Sequence, residues 1–397
     1  MDGRTLLARK NDPSCKLPSP LNPIPTDPIV GSKDFYHVNV IVSGALAIFS
    51  ISVTFALIWR HITHMSRPRE QIYIIRICLL LPIIAAVFWV GVYIPRYYVY
   101  TYAIVVFCEP VTLMCFFLFI CETLAAPVSG PALPTPPSRR DVFLSPLVTR
   151  ARLTGGSVTD KSLFNPFRFN WYGIAQNVPI IWAVAIAIIA TEAAGVYCLT
   201  AHDAHHAHIY LIVFKTISTF AALLYVLREV LPVRSEVKKH RAMAKLWGFK
   251  ALIFLQVSQD FIFSIIDSRA PRSITESTKI SQVDFITGVP ALVAEIELVV
   301  FSVFFHYAYS VSVYRLSDEQ KRAGEHYKGY GWRLIYKVFD IRDIFALILF
   351  PFRIREEVVS KEEEMQTLET RENNEGSPER KSPYQHSIEV EAATQDP

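Results

Sequence analysis

The residues of this sequence that could do chemistry are charged and amide side chains set inside long apolar runs. Arg76 stands in IYIIRICLL, Glu109 in VVFCEPVTL, Lys215 in LIVFKTIST, and Glu295 and Glu297 in VAEIELVV, while Lys250, Gln259 and Asp260 share WGFKALIFLQVSQD. A charge at bilayer depth costs about 2.5–3.5 kcal/mol even on a lenient insertion scale, so such a group faces a cavity or a partner and is a functional candidate. Two readings fit equally. In one, the cations meet the anionic end of an amphipathic solute and the carboxylates are paired or protonated at rest. In the other, the same groups pair helix to helix and hold the bundle together. Glu295 and Glu297 lie roughly 200° apart around a helix, so they cannot both face one cavity. Lys250 is near enough to an interface to snorkel. A second set, His202, His205, His206 and His208, falls in one short polar stretch and has the donor type for zinc, although no catalytic glutamate stands beside it.

These residues need long apolar elements to carry them, and the composition supplies them. The 397 residues are 51% hydrophobic and only 19% charged, with a mean hydropathy of +0.28. A soluble domain carries about 25% charged residues. The net charge of +4 is too small, and too scattered among loops, to argue for nucleic acid. Windows of low charge predict seven helices over residues 36–59, 72–95, 98–121, 171–195, 208–227, 247–267 and 285–312, each close to the 20 or so residues that cross a bilayer. Alternate connections carry fifteen and four Lys and Arg, which predicts a lumenal or outside N-terminus and a cytosolic C-terminus. The fold class is thus an all-α integral membrane protein, a seven-transmembrane-helix bundle spanning 35–314.

The remaining segments are assigned by composition. Residues 1–34, broken by six prolines, read as a disordered arm with no signal peptide, and 125–169 reads as a flexible cytosolic loop. Leu334, Val338, Ile341, Phe345, Ile348 and Phe352 recur every three or four residues, which predicts an amphipathic helix over 329–352, lying on the membrane or packed under the bundle. Residues 353–397 read as a disordered acidic tail able to recruit a soluble partner. Of the six cysteines, Cys121 ends the third span, a position open to palmitoylation or simply a buried thiol, and a Cys15–Cys198 bridge is the less expected arrangement.

One stretch carries a family resemblance. In HITHMSRPREQIYIIRICLLLPIIAAVFW, His61, Pro68, Gln71, Ile74, Ile75, Arg76, Ile77, Pro82, Ala85 and Trp89 resemble the pattern of the organic solute transporter alpha subunit family, which includes the transmembrane protein 184 branch. Glu109 in the third span, Lys245, Lys250, Phe254 and Gln259 in the sixth, and Glu297, His306 and Tyr307 in the last extend the resemblance in the same order. The chain is similar to a divergent, fungal-type member. It departs from the family pattern at Ile72, Ile84, Phe88 and Ser258, and the family's cysteine cluster is reduced to Cys121. The resemblance implies a carrier, not an enzyme, needing no cofactor and moving amphipathic organic anions such as steroid conjugates down their gradient. It implies a substrate pathway through Gln71, Arg76, Glu109, Lys250, Gln259, Glu297 and His306. A single-span partner subunit or a homodimer is the implied assembly, in a vacuolar, endosomal or plasma membrane. The competing expectation is a vacuolar or endosomal scaffold that acts through its tail.

Overall fold

The computed structural model describes residues 26–125, 137–199, 206–237, 284–316, 318–322, 326–327 and 332–374, with scattered positions from 245 to 281. Among the described residues there are helices and turns but no strand. The elements are α1 (Phe35–Thr63), α2 (Pro68–Tyr93), α3 (Tyr98–Ala125), α4 (Arg139–Thr154), α5 (Lys161–Ala175), α6 (Asn177–Ala193), α7 (Ala207–Val230), α8 (Val289–Ala308), α9 (Trp332–Phe339), α10 (Arg342–Leu349) and α11 (Ile354–Asn374). Six helical stretches among them are long and apolar enough to cross a membrane: 35–63, 68–93, 95–125, 161–193, 207–230 and 284–314. The predicted span 247–267 lies largely outside the described residues.

Helix ends follow from local chemistry. Asp34 caps α1 by accepting from the His37 amide at 3.0 Å. Pro68 opens α2, where its missing N–H costs nothing. α3 is the central helix: every residue from Thr112 to Ala125 is buried, against α2 on one side and α4, α6 and α7 on the others. α1 and α8 run in parallel on the far side of α2. Asn39 Nδ2 donates to Gly288 O at 2.9 Å near one end, and His61 Nε2 donates to Tyr309 O at 2.8 Å near the other. Large apolar side chains left outside, such as Ile41, Ile48 and Phe55 on α1 and Ile209, Val213 and Ile217 on α7, form the stripes that lipid would cover.

Several expectations are corrected. The stretch 125–169 is not one flexible loop, since α4 and the first turns of α5 occupy it. Ser138 and Asp141 form a reciprocal capping box and Gly155 ends the helix at φ 66°, so the start and stop signals are both present; the neighbouring prolines had masked them. Phe143, Leu144 and Leu147 of α4 are buried in the main core. The fourth span therefore begins ten residues earlier than composition suggested, at Lys161 rather than 171.

The amphipathic segment 329–352 is two helices, α9 and α10, broken at Asp340–Ile341. Val338, Ile344 and Leu347 are buried against the rest of the protein, while Phe339, Phe345 and Phe352 stay exposed. Residues 354–374 are helical rather than disordered, and α11 is tied to α4 by Lys361–Asp141 at 2.9 Å and Arg140–Glu364 at 3.1 Å. Residues 375–397, like 1–25, lie outside the described residues. The end of the N-terminal arm is ordered, with a turn at Gly31 and a hydrogen bond from the Asp27 amide to Thr278 O at 2.6 Å.

The docking of α11 carries a pH dependence. Burial would raise the Asp141 carboxyl, but hydrogen bonds from Lys361 and Ser138, with the Lys361 charge, outweigh it and hold the group below its ordinary value of 3.8. A lowered carboxylate contributes stability above its unfolded value and loses it as pH falls through the folded one. α11 should therefore stay docked throughout the neutral and mildly acidic range and come away only in strong acid. Protease sensitivity of 354–374 followed against pH checks this; release near neutrality would contradict it.

Candidate functional site

α7 presents one polar face to the bundle. Lys215, Ser218 and Glu229 recur at helical spacing on it, all buried, with Ala222 and Val226 between them. At 1.5 Å per residue, Lys215 and Glu229 stand about 21 Å apart along the axis, most of a hydrocarbon core. Each level has its own partners. Lys215 Nζ donates to Tyr102 Oη at 2.6 Å and lies 3.6 Å from Glu109 Oε2, with side-chain exposures of 5% for the lysine and 12% for the glutamate. Tyr102 and Glu109 are two turns apart on α3, so the cation sits over one face of that helix. Its contact with the carboxylate is longer than a hydrogen bond, which leaves the pair Coulombic and exchangeable.

The second level lies at the junction of α5 and α6, where Ser218 Oγ donates to Gln176 Oε1 at 3.2 Å and Asn177 Oδ1 at 3.1 Å. At the third, Glu229 takes Asn170 Nδ2 at 2.6 Å on one oxygen and Arg150 Nη2 at 3.4 Å on the other. Four helices, α3, α5, α6 and α7, and the side of α4 thus enclose a polar column with a basic group at each end. The levels at 215 and 229 each set a cation against a carboxylate, while Ala222 and Val226 between them are packed into the main core.

Arg76 organises a different place. Its Nε donates to Val338 O at 2.8 Å, Nη2 to Lys337 O at 2.8 Å and to Asp340 O, and Nη1 pairs with Asp343 Oδ2 at 2.7 Å. Lys337 and Val338 carry carbonyls of the last turn of α9, which have no partner within their helix and form the negative end of its dipole. The guanidinium satisfies them and so fixes the break between α9 and α10. Asp340 is turned outward to Arg342, whose hydrogen bonds pull its carboxyl down to about 2. Arg76 is about 12 Å along α2, so the α9–α10 corner reaches below the helix ends.

With this geometry in hand, the comparisons decide the family. The sequence profile of the family described as Organic solute transporter Ostalpha matches residues 39–314, most of the chain. The chain belongs to that family. No characterised protein and no solved structure compared with it matches. Membership makes this a multi-pass integral membrane protein of a solute-transporter family, not of an enzyme family.

Among the described residues, those singled out in the sequence of this Ostalpha member do not converge on one site. Glu109 joins the α7 column. Gln71 ties α1 to α2, donating to His64 O at 3.0 Å and His61 O at 3.3 Å while accepting from the Arg67 amide at 2.9 Å. Arg76 latches the C-terminal helices. His306 Nε2 donates to Val53 O at 2.8 Å and so ties α8 to α1, and Gln259 donates to Pro290 O. Glu297 is half-buried with Oε2 unbonded, whereas Glu295 is fully buried with neither carboxyl oxygen bonded. The two do diverge, and Glu295, for which the family resemblance offered no counterpart, is the inward one. It shares a face with Ala291, Leu298 and Ser302. Lys250, Asp260, His202 and His205 lie outside the described residues.

Cys121 is fully enclosed, beside Ser145, whose hydroxyl donates to its carbonyl, so its thiol has no path for an acyl chain in this arrangement. Cys198 is disulfide-bonded, to a partner outside the described residues. Among the described residues no three His, Cys, Asp or Glu gather closely enough for a metal. Lys215 was visible in the sequence, but its partner Tyr102, the Ser218 level and the Arg150–Glu229 level were not. The helical spacing of 215, 218, 222, 226 and 229 was the available signal.

Proposed function

We propose that this protein carries amphipathic organic anions across its membrane along the polar face of α7, in a facilitative cycle. The buried Lys215–Glu109 pair is the observation that carries the reading. A cation enclosed at bilayer depth, held to its carboxylate by charge without a short hydrogen bond, can accept an anionic head group by exchanging one partner for another. Arg150 at the other end of the column offers the same exchange with Glu229. The orientation that fits has α4, with Arg139, Arg140, Arg150 and Arg152, and the Arg228 end of α7 in the cytosol. The fifteen-to-four loop asymmetry supports it, and so does the disulfide at Cys198, which sits after α6 at the opposite end, where an oxidising compartment would preserve it.

Uptake of labelled amphipathic anions into proteoliposomes of the purified full chain tests this. Lys215→Gln should lower kcat/KM by about tenfold or more, equivalent to about 1.4 kcal/mol, and Lys215→Arg should retain part of the flux. Saturable uptake that is equal in wild type and Lys215→Gln would sink the assignment. Flux by the chain alone would also show that no second subunit is required.

A further inference from the structure

A cavity of about 280 Å³ opens beside the Arg76 latch, between the first turns of α2, the last turn of α3, the start of α4 and the α9–α10 corner. Most of its charges are already committed. Arg76 is spent on Asp343 and three carbonyls, Arg69 on Pro137 O at 2.6 Å and Glu122 Oε1 at 3.7 Å, and Asp340 on Arg342. Lys337, which also lines the cavity, is engaged as well, and two groups are left over. Arg139, in the first turn of α4, lines the cavity, is exposed, and makes no hydrogen bond or ion pair among the described residues. Glu122, 7% exposed, has an Oε2 that accepts no hydrogen bond. A buried acceptor without a donor is costly unless something supplies one.

A free cation beside an unfilled acceptor selects a ligand that carries both an anionic oxygen and a hydroxyl. The space lies just under the range of about 300–1,000 Å³ usual for drug-sized ligands, so it admits a compact polar group rather than a multi-ring body. The neighbouring helices α9 and α10 leave Tyr336, Phe339, Phe345 and Leu349 exposed, an apolar and aromatic set of the kind that seats a helix at a membrane interface. We propose that this cavity binds the hydroxylated phosphate headgroup of an anionic phospholipid, of the inositol or glycerol type, with phosphate on Arg139 and a hydroxyl donating to Glu122. Tyr73 and Phe143 form the apolar wall beside the ring or glycerol carbons. None of these residues belongs to the α7 column, so the proposal and the transport reading can fail separately.

The test is native mass spectrometry of the full chain released from nanodiscs of phosphatidylcholine containing phosphatidylinositol or, separately, phosphatidylserine. Wild type should retain phosphatidylinositol over phosphatidylserine. Arg139→Gln should lower retention about tenfold, Glu122→Gln should erase the preference between the two lipids, and Lys161→Gln, an exposed charge change outside the cavity, should do neither. Glycerophosphoinositol is added as a soluble competitor: displacement only at large excess supports the lipid, and displacement at equal concentration assigns the same site to a free polyol phosphate instead. Equal retention of both lipids by wild type, or wild-type retention by Arg139→Gln with an unchanged melting temperature, overturns the proposal.

Discussion

Arg76→Met should free the C-terminal helices from the bundle and cost about 3–5 kcal/mol, the range for breaking a buried ion pair from one side. The expectation rests on what the guanidinium leaves behind. Its side chain is 8% exposed and that of Asp343 17% exposed, so the carboxylate would lose its partner in a place with little water. Three carbonyls, at Lys337, Val338 and Asp340, would lose their donors in the same step. Arg76→Lys should recover only part of the loss, because one ammonium cannot reach three carbonyls and a carboxylate in the arrangement that the planar fork spans. Thermal unfolding of the purified protein and limited proteolysis over 332–374 measure the two effects. A Met variant with wild-type melting and a protected C-terminal segment would show that the latch is ornamental.

Lys215 and Glu109 should behave as a coupled unit. Lys215→Met leaves a carboxylate, and Glu109→Gln a cation, with one charge fewer beside it at bilayer depth, so each single change should destabilise by about 3–5 kcal/mol. The double variant should be no worse than either single one, since replacing both members of a buried pair removes the desolvation cost together with the attraction. Flux should be lost in all three. Stability losses that simply add would mean that the pair is not coupled, and flux surviving in the double variant would remove both residues from the path.

The C-terminal region shows most clearly what a linear reading misses. The period of Leu334, Val338, Ile341 and Phe345 was legible as a helix, but not its division at Asp340, because that break is made by an arginine more than 260 residues away. Asp343 offered a signal, an acidic residue between Ile341 and Ile344, that only its partner explains. α4 failed for another reason. Its capping box and its terminal glycine were in plain view, and the surrounding prolines and serines outweighed them.

Composition and the spacing of apolar runs determined by themselves that this chain lives in a membrane, where most of its spans begin and end, and which buried charges need partners. They could do so because the cost of a charge in hydrocarbon is a one-residue property, and the length needed to cross a bilayer is set by the bilayer. Tertiary structure alone decided which partner each charge took. Arg76 went to the C-terminal corner, His306 to the backbone of α1, and only Glu109 to the α7 column, because pairing depends on which helix faces stand opposite at the same depth, and helical periodicity gives the faces of each helix without saying which ones meet.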